Sequence, residues 1–413
     1  MRFPTKHYHW QWRLRSDPET LWPLVTNTNR FDRDSGTPRM TAVRLSGDDR
    51  LTNARAWVRL PALGIPLEYV QEPFEWTYPH RFGVTRRYTA GPLAELRTLA
   101  ELFPQPDGGT LLHYHVWMRA RNLAGLVAVP LVGPLVFQRT FGRSFRDYDQ
   151  MAISGQPPYI ASADVKFMSG GKKRLESARR RLLDDGANPA LLDQLVAAIE
   201  QGDPTALAHM RPYALADYWK ADRAEVLKLC LVATRHGLLD LRWDILCPSC
   251  RGVKVSLPTL GGVSRTIHCE LCHVDFNANF ERSVELTFRP NPAIRTVEEG
   301  IFCVGGPQDT PHVVAQQLIP DGESRVITPT LEPGRYRLRT LRKPGGQALA
   351  VDPGGLSELT LTATEVEWPN TEPRLAITPT LHFENQSGEE QLFMLERYAW
   401  GDQAALAADV TML

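Results

Sequence analysis

Two pairs of cysteines constrain this chain more than any other feature: Cys247-Pro-Ser-Cys250 and Cys269-Glu-Leu-Cys272, separated by the 18 residues 251–268. Two CxxC turns at this separation carry the signature of a tetrahedral four-thiolate zinc site. Each turn can set two sulfurs on one side of a hairpin loop. The spacer is long enough for two or three strands to bring the turns together. Four thiolates leave no position for a catalytic water, so a zinc ion held by Cys247, Cys250, Cys269 and Cys272 is structural. A redox dithiol, a disulfide pair and a metal-free ribbon are the alternatives. A thioredoxin-like couple belongs beside a βαβ pattern, whereas strand-like segments flank both pairs here and Gly261-Gly262 lies in the spacer. His268 and His273 border the second pair and are able to replace a thiolate, although four sulfurs already complete the coordination. Outside the pairs, Cys230 reads as a core thiol on an apolar helix face and Cys303 as a buried strand position.

The chain has 413 residues, enough for two to four domains. Lys+Arg and Asp+Glu both number 47, which is not the basic excess of a nucleic-acid binder. Met1 to Lys6 lacks the apolar core of a signal peptide. The longest apolar run, Leu123 to Phe137, is broken by Gly125, Pro130, Gly133 and Pro134. It falls short of the roughly 20 residues that a spanning helix needs. With reduced, metal-binding cysteines this predicts a cytoplasmic protein without a transmembrane segment.

Residues 1–153 are laid out as one α+β domain. Tyr8, Trp10, Trp12 and Leu14 alternate with polar neighbours, the period of a half-buried strand. Asp17 and Pro18 then open a helix with Leu21, Trp22, Leu24 and Val25 on its apolar face. Strand-like segments follow, the last placing Leu112, Tyr114, Val116, Met118 and Ala120 on one face and His113, His115, Trp117 and Arg119 on the other. A closing helix carries Phe137, Phe141, Phe145, Tyr148 and Ala152 in a stripe, with Arg139, Arg143 and Arg146 facing away.

Beyond it, 154–171 is a Gly- and Pro-containing linker and 172–245 a helical module. In that module Lys172-Lys-Arg174 and Arg179-Arg-Arg181 form a solvated basic face, and Asn188 and Asp222 cap helices. The four-cysteine ribbon occupies 246–282. Short strands between Pro/Gly turns over 283–400 predict a β-sandwich, and 401–413 begins a helical connector. In the β region, Gly305-Gly306 and Thr310-Pro-His312 read as backbone-shaping turns.

The order strand, helix, many antiparallel strands, long helix resembles the START-like helix-grip (SRPBCC) superfamily. The matching residues are Asp17 to Trp22, Glu72 to Pro79, Arg87 to Leu93 and Asp107 to Thr110. The resemblance implies an apolar cavity between sheet and helix, suited to a hydrophobic small molecule unless Trp57, Trp76 and Trp117 fill it.

Gly237 to Leu413 resembles an uncharacterised bacterial domain found upstream of class III adenylate/guanylate cyclase catalytic domains. This rests on Gly237 to Asp240, Trp243 to Cys250, Phe276 to Pro290, Cys303 to Pro307, Thr310 to Val313, Glu396 to Asp402 and Thr411 to Leu413. It implies a multidomain α+β regulatory or sensory region: START-like domain, helical module, zinc ribbon and β-sandwich. It also implies a cyclase catalytic domain as partner, in cis or in trans, and a homodimer. The metal-binding aspartates of a cyclase are not recognisable in 1–413, so the chain itself is expected to be non-catalytic. Two rival expectations are an enzyme or hydrophobic-ligand carrier built on the START-like domain, with His113 or His115 as base, and a zinc-ribbon nucleic-acid binder.

Overall fold

The computed structural model describes residues 3–44, 49–62, 65–132, 137–155, 157, 159–160, 165–248, 252–269, 274–297, 300–365, 367–398 and 404–407. It divides into two compact units: Met1–Gly155 with Ile301–Trp400, and Gln156–Gly300 with Gly401–Leu413.

The first unit opens with β1 (Thr5–Leu14). Asp17 then caps α1 (Pro18–Val25), its carboxylate accepting the Thr20 N–H at 2.8 Å. Asn27 caps α2 (Thr28–Asp34) in the same way through the Arg30 N–H. There follow β2 (Thr41–Arg44), α3 (Arg50–Ala54), β3 (Ala56–Ala62), β4 (Ile65–Gln71), β5 (Glu75–Thr77), β6 (Arg81–Ala90), β7 (Leu93–Pro104), β8 (Thr110–Ala120), α4 (Leu123–Val132) and α5 (Gln138–Ile153). The strands pair antiparallel in the order β1-β8-β7-β6, and β6 continues to β5 on one branch and to β4, β3 and β2 on another.

Helix α5 lies on the inner face of this sheet, the helix-grip arrangement expected from the sequence. Phe145 is fully buried against Trp12, Phe31 and Tyr114, while Arg139, Arg143 and Arg146 are exposed. The approach is close at Gly142, where an added Cβ would come within 2.5 Å of Trp12 Nε1. Asp149 fixes the far end of the helix by accepting the N–H groups of Arg15 and Ser16 at 3.0–3.1 Å.

The second unit contains α6 (Gly171–Asp184), α7 (Pro189–Gln201), α8 (Pro204–Ala208), α9 (Pro212–Trp219) and α10 (Arg223–Arg235). Its strands are β9 (Leu239–Leu246), β10 (Val253–Leu257), β11 (Thr266–Cys269), β12 (Val274–Asn277) and β13 (Val284–Pro290). Asn188 and Asp222 cap α7 and α10 as their positions predict. Leu182, Leu192, Leu195, Ile199, Val226, Leu227 and Cys230 form a core with Ile245, Leu286 and Phe288.

Two boundaries differ from the expectation. Residues 283–300 do not belong with the later strands, because β13 pairs antiparallel with β9 from Val284↔Ile245 to Pro290↔Leu239. At the other end of the chain, 404–406 are not helical and helical geometry starts only at Ala407. Leu406 bridges to Glu285, the Leu286 N–H donates to the Ala405 carbonyl at 2.7 Å, and Ala405 and Ala407 are buried in the same core. Residues 401–403 and 408–413 lie outside the described residues.

The chain then returns to the first unit with β14 (Val313–Ile319), β15 (Ser324–Ile327), β16 (Gly334–Thr340), β17 (Gln347–Thr364), β18 (Arg374–Gln386) and β19 (Gln391–Arg397). Their order is β14-β19-β16-β17-β18-β15, and β14 also pairs with β5 through Ala315↔Thr77 and Gln316↔Trp76. The strands expected to form a separate sandwich thus continue the helix-grip sheet. Among the described residues, no helix is long and apolar enough to cross a membrane.

Candidate functional site

The period-2 alternation of β6 turns Phe82, Val84, Arg86 and Tyr88 toward the same side. Arg86 is therefore an arginine at an inward position. Its guanidinium meets Asp32 of α2 at 3.2 Å, the Gln71 side-chain oxygen at 3.3 Å and the Cys303 sulfur at 3.4 Å, and it lies over the Tyr69 ring at 5.7 Å. Burial works against the charge, but the surrounding groups, the Asp32 carboxylate among them, more than offset it and Arg86 stays cationic. Burial also pushes the Cys303 thiol and the Tyr88 hydroxyl up to about 12, and raises Tyr69 and Tyr114. These groups are consequently neutral near pH 7. They offer hydrogen bonds and one buried cation, but no activated nucleophile. A second polar group lies nearby between α2 and α5: Arg30, 2% exposed, is placed over the Tyr148 ring, and the Tyr148 hydroxyl donates to Asp34 at 2.9 Å.

The segment carrying Cys303 is fastened to this interior along its length. The Met40 N–H donates to the Ile301 carbonyl at 2.8 Å, and the Asn29 side-chain oxygen accepts the N–H groups of Phe302 and Cys303 at 2.7 and 3.1 Å. Gln71 donates to the Val304 carbonyl, and the Thr28 hydroxyl to the Gly305 carbonyl at 2.8 Å. Gly306 has φ +127°, and an added Cβ would meet Thr28 Oγ1 at 2.7 Å. A glycine is needed there for both reasons. The sequence reading of Gly305-Gly306 as a turn agrees with this geometry. Cys303 is buried as expected but belongs to this irregular segment rather than to a strand.

Of the four ribbon cysteines, Cys247 and Cys269 are fully buried and pack in one small cluster with Val274 and Phe276. Cys250, Cys272 and His273 lie outside the described residues. Cys247 follows the last residue of β9 and Cys269 ends β11, so the two strand systems converge on the first sulfur of each pair. His268 is half-exposed and pairs with Asp275 at 2.8 Å.

His113 and His115 lie on the outer face of β8, opposite Tyr114, whose ring meets Phe141 and Phe145 of α5. They cannot reach a ligand in the interior. An acid neighbour that the sequence did not reveal is Glu101 of β7, 3.6 Å from His115 Nε2 and in register with His113. Burial and the neighbouring His9 lower both imidazole pKa values. Sequence reasoning missed Arg86, although the alternation of β6 is a signal that could have marked it as inward. Asp32 and the 301–306 segment gave no such signal, because they meet it from distant parts of the chain.

The profile of a family of unknown function (DUF5939) matches residues 175–300. That stretch falls within the second unit and overlaps the cyclase-associated resemblance over 237–300. No curated protein matches the chain. Among solved structures, the chain is similar to a protein from Thermus thermophilus, with 14% identity over 37% of this chain and 100% of that one, TM-score 0.28. It is also similar to an aromatase/cyclase from Streptomyces sp. R1128, with 10% identity over 36% and 96% of the two chains, TM-score 0.28. A third is norcoclaurine synthase from Thalictrum flavum, with 12% identity over 38% and 99%, TM-score 0.27.

Proposed function

We propose that the chain is the sensory region of a class III nucleotide cyclase, non-catalytic in itself, cytoplasmic and homodimeric. Its helix-grip interior takes a hydrophobic small molecule and passes occupancy to β14–β19 and from there to a cyclase catalytic domain. The cyclase partner rests on the sequence resemblance. The sensory reading is carried by one observation: the interior wall and the later strands share a seam. Asn29, Thr28, Gln71 and Arg86 all hold the 301–306 segment, and this segment leads into β14, which pairs with β5. A ligand that shifts α2 or β6 must strain or release those bonds, which gives the two states differential affinity for it. The buried cation and neutral hydroxyls around Arg86 suit recognition of one polar group on an otherwise apolar ligand, not bond-making.

In this reading Cys247 and Cys269, with Cys250 and Cys272, hold a structural zinc ion. Two buried cysteines ending separate strand systems and packed together fit that donor set. Zinc bound there supplies a crosslink and no reaction chemistry.

The test uses the full chain titrated with 1-anilinonaphthalene-8-sulfonate and displaced with laurate, with amide hydrogen exchange read along the sequence. Saturable, competable binding is expected, with altered exchange at 302–319. Competable binding that leaves 302–319 unchanged would remove the relay while keeping the cavity. Absence of binding by either molecule would count against the ligand class.

A further inference from the structure

We propose that His9, His113 and His115 form a divalent transition-metal site on the outer face of the β1–β8 ribbon. This is independent of the sensory reading and of the cysteines. The placement follows from strand geometry. His113 and His115 are two residues apart on β8 and share a face, while His9 of β1 is directly opposite His115 in the antiparallel register. Cross-strand neighbours of this kind have Cβ atoms about 5 Å apart. One ring nitrogen from each of the three lies within 4.8 Å of the other two. Metal–nitrogen bonds of about 2.0–2.1 Å require those nitrogens to draw closer around an ion. Rotation about the last side-chain torsion, which is soft for histidine, can supply that movement.

Two further observations point to a ligand rather than to a plain aromatic ladder. The Nε2 atom of His113 is buried and has no hydrogen-bond partner, although a neutral imidazole nitrogen withheld from water ordinarily has one. His115 has the surroundings of a metal-bound imidazole. Its Nδ1 is 3.0 Å from His7 Nε2, which leaves Nε2 for the ion, and the Glu101 carboxylate waits 3.6 Å from that atom. Three imidazoles with an adjacent carboxylate suit zinc, nickel or copper rather than magnesium or calcium.

The full-length, untagged protein, carrying zinc at any cysteine site, is titrated with Ni²⁺ by calorimetry and by tryptophan fluorescence. Trp117 stacks on His7 at 4.7 Å and lies 5.4 Å from His115, so a paramagnetic ion bound here quenches it. One added equivalent with micromolar affinity or better is expected, together with partial quenching that is lost in Trp117→Phe. His113→Gln and His9→Gln are each expected to weaken binding at least tenfold, and His268→Gln, at the half-exposed pair with Asp275, to leave it unchanged. Circular dichroism and an unchanged melting temperature establish that the variants fold. The same titration with Co²⁺ should give d–d bands without the near-ultraviolet charge-transfer band of a cobalt thiolate. No added equivalent, or Ni²⁺ affinity unmoved by His113→Gln in a folded variant, would overturn the site and leave the histidines as a stacked surface ladder.

Discussion

At the scale of single residues, the most consequential departure from the sequence pattern is on β13. Alternation places Val284, Leu286 and Phe288 inward and predicts Glu285 and Thr287 outward. All five are buried, because the α8–α9 stretch packs on β13 and brings His209 and Arg211 to the second face. Glu285 stands directly across from Asp244 of β9, so two carboxylates with no solvent exposure are neighbours. Such a pair is tolerable only if cations and donors surround it. Arg211 supplies Glu285 at 3.0 Å, while His209 and the Thr287 hydroxyl each reach Asp244 at 2.9 Å. Burial pushes the Asp244 carboxyl up, but hydrogen bonds from His209, Ser256 and Thr287 and the charge of His209 outweigh it. The folded pKa is therefore below the ordinary carboxylate value. The sign follows directly. A lowered carboxyl pKa stabilises the fold above the unfolded value near 4, and that contribution is lost as pH falls through the folded pKa. Arg211→Ala should cost about 3 kcal/mol in urea unfolding at pH 7, since it strands Glu285 beside Asp244. Asp244→Asn should flatten the loss of stability between pH 5 and 3 followed by the same method; an unaltered acid limb would show that Asp244 does not carry it.

At the scale of elements, helices and isolated strands were legible because their signals are local. Asp17-Pro18, Asn188-Pro189 and Asp222 announced three helix starts that the structure has. The outer and inner faces of β1 and β8 could be read from alternation. Pairing was not legible. Nothing around Val284 says that its partner is Ile245, and nothing around Ala315 says that its partner is Thr77, since register is decided by surfaces that meet only after folding. The β11–β12 pair is instructive here. It has four residues a side; Cys247 and Cys269 cluster with Val274 and Phe276, and Ile267 is the one residue of β11 buried in the larger core of the second unit. A two-stranded ribbon this short is marginal in water by itself. The proposed zinc crosslink would supply what its core lacks, and on that proposal about one zinc per chain is expected to co-purify. Removing it with a chelator under reducing conditions should speed amide exchange at 266–269 and 274–277 at least tenfold while leaving α7 and α10 slow. A ribbon that stays protected without metal would show that packing alone holds it, and metal-free protein purified under reducing conditions would end the zinc assignment.

At the scale of the whole molecule, the chain passes from the first unit into the second, back into the first, and finally into the second again. Neither unit is a contiguous stretch of sequence, which is why a linear division into successive domains misplaces 283–300 and the last residues. For the first unit this has an energetic consequence. Residues 1–155 alone would lose β14 from the β5 edge, with the bond from Trp76 Nε1 to the Val313 carbonyl at 2.8 Å and that from Gln317 to the Trp76 carbonyl at 2.9 Å. The Asn29 and Gln71 side chains would lose their partners in 302–304 at the same time. An exposed strand edge of this kind also invites pairing between copies. Replacing 156–300 by a flexible Gly/Ser linker removes none of these contacts, and the entropy of closing a loop changes only logarithmically with its length. The linked protein carrying 1–155 and 301–398 should therefore unfold in one cooperative transition, whereas 1–155 alone should melt at least 10 °C lower or aggregate. Scanning calorimetry with sedimentation distinguishes these outcomes. Equal melting temperatures for the two would mean that the β5–β14 seam contributes nothing to the stability of the helix grip, and a signal sent across it would then have no mechanical basis.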